Sequence, residues 1–164
     1  MKINYADDEY TVYLNKLYNE KINFFIVEEL EECMNNLFNI IKKTYDIELN
    51  GYYNVNVYID NNYGVIINIK KEEIDYYDYF GDQIDTQITI HKDSEFMYKI
   101  NDFMEVKKYL EKNYNLYKYE NELYIKLNNL IDNNKLGIIL EYCDEICYDI
   151  DEIKKSINLI FCNK

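Results

Sequence analysis

The residues best equipped for covalent or acid–base chemistry are a single histidine, His91, and four cysteines, Cys33, Cys143, Cys147 and Cys162. A histidine acting as a general base needs a nucleophile or carboxylate held within hydrogen-bond reach. His91 closes an alternating run at its outward parity, beside Lys92, and reads as a solvated residue near a turn. A thiol nucleophile needs electropositive surroundings to lower its pKa. Cys143 and Cys147 stand instead among Glu141, Asp144 and Glu145, which raise it. Four residues apart on the apolar side of an expected helix, they read as core thiols. Metal binding or transient oxidation is the other use of such a pair, but the spacing lacks the tight loop and second ligand pair of a structural zinc site.

Phosphate and calcium chemistry are equally short of parts. The four glycines, Gly51, Gly64, Gly81 and Gly137, lie far apart, so no phosphate-cradling loop can be written. Asp60-Asn61-Asn62-Tyr63-Gly64 superficially resembles part of a calcium loop, but lacks the acidic ligand series and the bidentate Glu at the twelfth position. It reads as a hairpin turn. With 31 acidic side chains in 164 residues, paired carboxylates are unavoidable and no one pair is informative. The sequence therefore assigns no catalytic residue, no cofactor and no metal, and the expectation is a protein that is not an enzyme.

What remains is surface chemistry. Against the 31 acids stand 18 basic residues, all lysine, for a net charge of −13. Affinity for a phosphate backbone comes from clustered cations that displace counterions, and the guanidinium fork that reads phosphate or guanine is absent. Nucleic acid is thus expected to be repelled. Tyrosine, present 20 times, supplies large area, few rotatable bonds and a polar tip, which suits an interaction hot spot. Tyr76, Tyr77 and Tyr79 fall in an acidic stretch, while Tyr117, Tyr119 and Tyr124 fall on an expected hairpin where 117 and 119 share a face. Isoleucine, asparagine, tyrosine and lysine make up more than half the chain, and all four have A/T-rich codons, so part of this excess reflects the genome.

The elements that would position these residues follow from periodicity. Tyr10, Val12 and Leu14 alternate as a half-buried strand. Val27, Leu30, Cys33-Met34, Leu37-Phe38 and Ile41 recur at helical spacing, with an acidic first turn and Lys42-Lys43 in the last. Tyr53, Val55, Val57 and Ile59 form one strand face, and Val65–Ile69 returns after the turn at 60–64. Residues 72–85 break every period and carry many carboxylates, so they read as a Tyr-rich acidic connection. Ile84, Thr86, Ile88 and Ile90 then alternate and are expected to form a hairpin with Phe96, Tyr98 and Ile100. Asp102, three residues before Glu105, has capping-box spacing for a helix carrying Phe103, Val106, Leu110 and Tyr114. Strands Asn115–Tyr119 and Glu122–Leu127 meet at Glu120-Asn121. A further helix is expected to place Leu136, Ile139-Leu140, Cys143 and Ile146-Cys147 on one side, and a last one to carry Ile153, Ile157 and Ile160-Phe161.

The sum is an α+β chain of largely antiparallel strands with helices packed on the sheet, strand–helix–hairpin occurring twice. The expected organisation is an N-terminal unit at 1–71, the connection at 72–85 and a C-terminal unit at 86–164. No apolar run approaches the roughly 20 residues that span a bilayer. The start turns acidic at Asp7-Asp8, where a secretory signal would turn apolar. With the cysteines read as thiols of a reducing compartment, the expected location is the cytoplasm.

Three collinear segments carry a family resemblance. Phe96-Met97-Tyr98-Lys99-Ile100-Asn101-Asp102-Phe103-Met104-Glu105-Val106 reads as an aromatic strand, then Asp-Phe, an acid and an aliphatic. Asn115-Leu116-Tyr117-Lys118-Tyr119 begins a hairpin with the aromatic return strand Glu122–Leu127, and Ile139-Leu140-Glu141-Tyr142 closes a helix. Together they resemble the C-terminal domain of MecA-type adaptor proteins over residues 95–164. Cys143 stands where that family has glycine after Glu-Tyr, and the family's long acidic linker is shortened to 72–85. The resemblance implies a non-enzymatic adaptor whose C-terminal domain docks on a ClpC-type AAA+ unfoldase and whose N-terminal domain presents a client protein. It directs attention to Tyr117, Tyr119, Glu120, Glu122, Tyr124, Glu141 and Tyr142 as the partner-binding face. The acids among them would steer toward a basic surface. The alternative among binding proteins is an acidic inhibitor or nucleic-acid mimic that occupies a basic site on another protein.

Overall fold

The computed structural model describes residues 1–6, 9–16, 22–72, 84–110, 114–128, 131–147 and 158–162. It divides into two compact units, Met1–Lys92 and Asp93–Lys164, each built on a five-stranded sheet with helix, an α+β architecture. No helix among the described residues is long and apolar enough to cross a membrane. The acidic connection, including Tyr76, Tyr77 and Tyr79, lies outside the described residues apart from its ends.

The first unit holds β1 (Lys2–Ala6), β2 (Glu9–Asn15), α1 (Val27–Tyr45), β3 (Gly51–Asp60), β4 (Gly64–Lys71) and β5 (Ile84–His91), with sheet order β1-β2-β4-β3-β5. Strand alternation decides which residues enter the core. Tyr10, Val12 and Leu14 of β2 lie opposite Ile69, Ile67 and Val65 of β4, which lie opposite Val55, Val57 and Ile59 of β3. This one face meets Leu30, Cys33, Met34, Leu37, Phe38 and Ile41, the apolar stripe of α1. Each such fully buried side chain contributes about 2 kcal/mol. The helix ends where Asp46 turns left-handed (φ 51°) and its N–H returns to the Lys42 carbonyl. Lys42 and Lys43 in the last turn suit the negative end of the helix dipole.

The turn at 60–64 is held by its own side chain. Asp60 Oδ1 accepts from the N–H of Asn62 at 2.8 Å and of Tyr63 at 3.2 Å, so the carboxylate that hinted at a calcium loop is committed to the backbone. Gly64 has φ 130°, and a Cβ there would lie 2.1 Å from the Leu14 carbonyl oxygen. Only glycine permits β4 to start this close to β2.

The second unit holds β6 (Met97–Ile100), α2 (Phe103–Val106), β7 (Tyr114–Tyr119), β8 (Glu122–Leu127), α3 (Asn133–Glu141), β9 (Cys143–Cys147) and β10 (Asn158–Cys162), with sheet order β10-β7-β8-β6-β9. Asp102 caps α2, its Oδ1 accepting from the N–H of Met104 and Glu105 at 3.0 and 3.1 Å. Asp132 caps α3 through the Asn134 N–H at 2.9 Å. Tyr98, Ile100, Ile125, Leu127, Tyr114 and Leu116 share a buried face, and Phe103 of α2 meets Tyr114 on it with ring centroids 6.1 Å apart.

Five expectations are corrected. The run 84–91 does not form a hairpin with 96–100: β5 pairs parallel with β3 in the first sheet, whereas β6 pairs with β8 and β9 in the second. The boundary between units therefore falls after Lys92, and residues 86–92 belong to the first unit rather than the C-terminal one. The helix stripe ending in Cys143 and Ile146-Cys147 stops at Tyr142 (φ −98°, ψ 6°), and Cys143–Cys147 becomes strand β9 on the edge of β6. The helix opened by Asp102 is brief and Tyr114 begins β7. Ile160-Phe161, expected in a last helix, lie in β10, while residues 148–157 lie outside those described. One cause is common to the strand corrections. Apolar spacing over a few residues does not fix a strand's partner or separate a short helix from a strand, and an available sheet edge decides. The opening strand β1, which no periodicity announced, is likewise placed by its pairing with β2.

Candidate functional site: the open end of the second sheet

The expected partner-binding residues converge on one end of the second sheet. The β7–β8 register sets Tyr117 opposite Tyr124 and Tyr119 opposite Glu122. All four side chains thus stand on the same face, the one opposite the face that α2 meets. Tyr124 is opposite Lys99 of β6, so Met97 and Lys99 share that face too. Met97 and Tyr124 form a small buried cluster against which Tyr117 and Tyr119 pack, with the Tyr119 and Tyr124 ring centroids 6.4 Å apart. Lys99 Nζ lies 3.6 Å from Glu122 Oε1.

The hairpin turns at Glu120 and Asn121, which both take positive φ, 48° and 69°. Two consecutive left-handed residues match the right-handed twist of the flanking strands. Asn suits that backbone and Glu does not. The turn leaves Glu120 and Glu122 exposed.

Glu141 and Tyr142 reach the same end by a different route. The Ile100–Leu123 pair lies one residue from Glu122, and the next residue of that strand, Asn101, donates its N–H to the Tyr142 carbonyl at 3.2 Å. A transverse row thus runs Tyr119, Glu122, Asn101, Tyr142 across four strand positions, about 14 Å in all. Helix α2 departs from this end and exposes Met104. Lys108, just after α2, bonds Glu105 at 2.5 Å. Its ammonium is held above the ordinary lysine value, first by that hydrogen bond, with the Glu105 carboxylate and the phenols of Tyr109 and Tyr142 adding to it.

Burial sorts these residues into two roles. Tyr124 is 7% exposed and forms the packed base of the cluster, so it does not present itself to a partner. Tyr117, Tyr119 and Tyr142 are half-buried, while Glu120, Glu122 and Glu141 are exposed. The accessible chemistry is carboxylate at the rim with phenol behind it. Met97, Lys99 and Lys108 were not singled out from sequence. The alternation of Met97 and Lys99 along β6 was the available signal for two of them.

Of the residues with catalytic potential, His91 and Cys33 belong to the first unit, and Cys143 follows Tyr142 at the start of β9. His91 is not simply solvated: its ring stacks on Tyr58 at 4.4 Å and its Nε2 lies 3.1 Å from Asn56 Oδ1. Cys33 is buried in the first core, which pushes its thiol pKa up. Cys143 is buried, and its separation from Cys147 along a strand is about 13 Å, twice that of two residues one helical turn apart. Among the described residues no three His, Cys, Asp or Glu side chains are grouped to hold a metal ion.

Comparison with protein-family models, with curated proteins and with solved structures finds no match to this chain.

Proposed function

We propose that this chain is a cytoplasmic, non-enzymatic adaptor that works by binding other proteins. The single observation that supports this best is the convergence of Glu120, Glu122, Glu141 and Tyr142 on one end of the second sheet. They come from a hairpin tip and a helix end that are distant in sequence. An exposed carboxylate rim around half-buried tyrosines has the anatomy of a docking site for a basic protein surface, phenol supplying area and charge supplying steering. With the resemblance of residues 95–164 to MecA-type adaptors, the proposed partner of the second unit is a ClpC-type AAA+ unfoldase, and the first unit would carry the client.

Titrating the purified chain into such an unfoldase tests this. Stimulated ATPase activity or assembly is expected, and the double variant Glu120→Lys, Glu122→Lys should weaken it tenfold or more. Absence of both effects overturns the reading. Competition with DNA for a basic partner, falling steeply with salt, would favour the acidic mimic instead.

A further inference from the structure

Among the described residues, β5, one of the two outermost strands of the first sheet, differs from the other sheet edges. Unpaired edges are sites of association, and proteins usually blunt them with short strands, lysines or bulges. Among the described residues, β1 is short and carries Lys2. The register of β9 on β6 shifts at Lys99/Ile100, and that of β10 on β7 at Leu159/Phe161. Strand β5, Ile-Asp-Thr-Gln-Ile-Thr-Ile-His, has none of these devices. It contains no Lys, Gly or Pro, and its register on β3 runs unbroken from Gly51↔Ile84 to Tyr58↔His91.

Two further observations bear on what such an edge accepts. The Thr86 N–H is bonded by its neighbour, Asp85 Oδ1, at 2.9 Å, and is not turned toward β3. Because strand residues alternate, Thr86, Ile88 and Ile90 direct their backbone groups outward. Burial also falls off at this edge: Val55 and Val57 are 1% and 0% exposed, whereas Ile88 and Ile90 beside them on β5 are only half-buried.

We infer that β5 pairs antiparallel with β5 of a second copy of this chain, about a two-fold axis through Ile88, joining two first-unit sheets into one of ten strands. The sequence of the strand is self-complementary in that register. Ile88 meets Ile88 and Thr86 meets Ile90 on the core face, while Gln87 meets Thr89 and Asp85 meets His91 on the other. Outward-facing residues oppose outward-facing residues, so both ladders close, and acid faces imidazole twice. A slip of one residue would set core-facing side chains against the polar face. The resulting interface is isologous, the type that two-fold dimers have. It rests on the first unit alone and is independent of the adaptor reading.

Sedimentation of the full chain from micromolar to millimolar concentration tests it. The wild type is expected to reach twice the mass of one chain. Thr86→Pro, which removes an outward donor that β3 does not use, should leave the circular dichroism intact and hold the chain at single mass. Should that variant misfold, Ile88→Cys decides: at the dyad the two Cα atoms lie about 5.5 Å apart, within disulfide range, so mild oxidation gives a covalent dimer. Gln87→Cys should not cross-link. A wild type that stays monomeric overturns the inference, as does a dimer indifferent to Thr86→Pro in a folded chain, or one cross-linked by Gln87→Cys but not by Ile88→Cys.

Discussion

The two units place the same three strands side by side and finish them differently. In the first, β2 lies beside β4 and β4 beside β3; in the second, β6 lies beside β8 and β8 beside β7, all antiparallel. Around this common centre the first unit adds β5 parallel to β3, whereas the second adds β10 antiparallel to β7. The first covers one face with α1, 19 residues long, while in the second α2 has 4 residues and α3 has 9. A long helix closes a deep aliphatic core. In the second unit a hairpin tip and the end of a short helix carry exposed carboxylates beside half-buried phenols.

Substitutions that act on one unit can break or sharpen that contrast. The largest effect is expected at Gly64. Gly64→Ala sets a methyl against the Leu14 carbonyl at a positive φ, and should cost the first unit about 4 kcal/mol in urea unfolding. The second unit's tyrosine fluorescence should persist to higher denaturant than the first unit's core in that variant.

Alkaline pH should also weaken the first unit. Burial, and then Asp60, raise the Tyr63 phenol above its ordinary value. A raised pKa contributes stability that is complete below the unfolded value, about 10, and is lost as pH rises past it toward the folded value. Urea midpoints measured between pH 9 and 11 should therefore fall more steeply for the wild type than for Tyr63→Phe.

The helix starts give a smaller, opposed pair of effects. Asp102→Ala removes a cap that bonds two N–H groups and should destabilise the second unit by about 1 kcal/mol. In α1 the N-cap position, Ile26, is extended (φ −95°, ψ 119°) and makes no side-chain cap, so Ile26→Asp should stabilise the first unit by a similar amount. Thermal unfolding of both variants reads the difference in sign.

The least effect concerns the hairpin tip. Replacing Glu120-Asn121 by Asn-Gly relieves two positive-φ residues and should raise stability by about 0.5 kcal/mol. The same change removes a rim carboxylate, so binding to the proposed unfoldase partner should fall as stability rises. A tip that gained both would separate Glu120 from the proposed docking face.

Much of the fold was legible because local period and tertiary environment agreed. Val27 to Ile41 repeats at helical spacing over four turns and forms α1, and the 53–69 hairpin alternates around an Asp-to-Gly turn that its own side chain holds. Cys143–Cys147 shows the opposite case. Its apolar residues continue the phase of α3, yet the edge of β6 offers a ladder, and the chain takes strand instead. The site was legible in part. The parity of Tyr117 and Tyr119 announced a shared face. The burial of Tyr124 and the link from Asn101 to Tyr142 had no local signature, since both depend on which strand lies next to which.

Composition and spacing alone determined that this chain is acidic, guanidinium-free and able to form amphipathic helix and alternating strand, because these properties reside in each residue or its near neighbours. Which sheet claims Ile84–His91, whether Cys143 ends a helix or begins a strand, and how two distant segments meet at one sheet end were decided only in three dimensions. Backbone hydrogen bonds between strands are blind to side-chain type, so partner and register are chosen by the packing of whole faces, which no window of sequence contains.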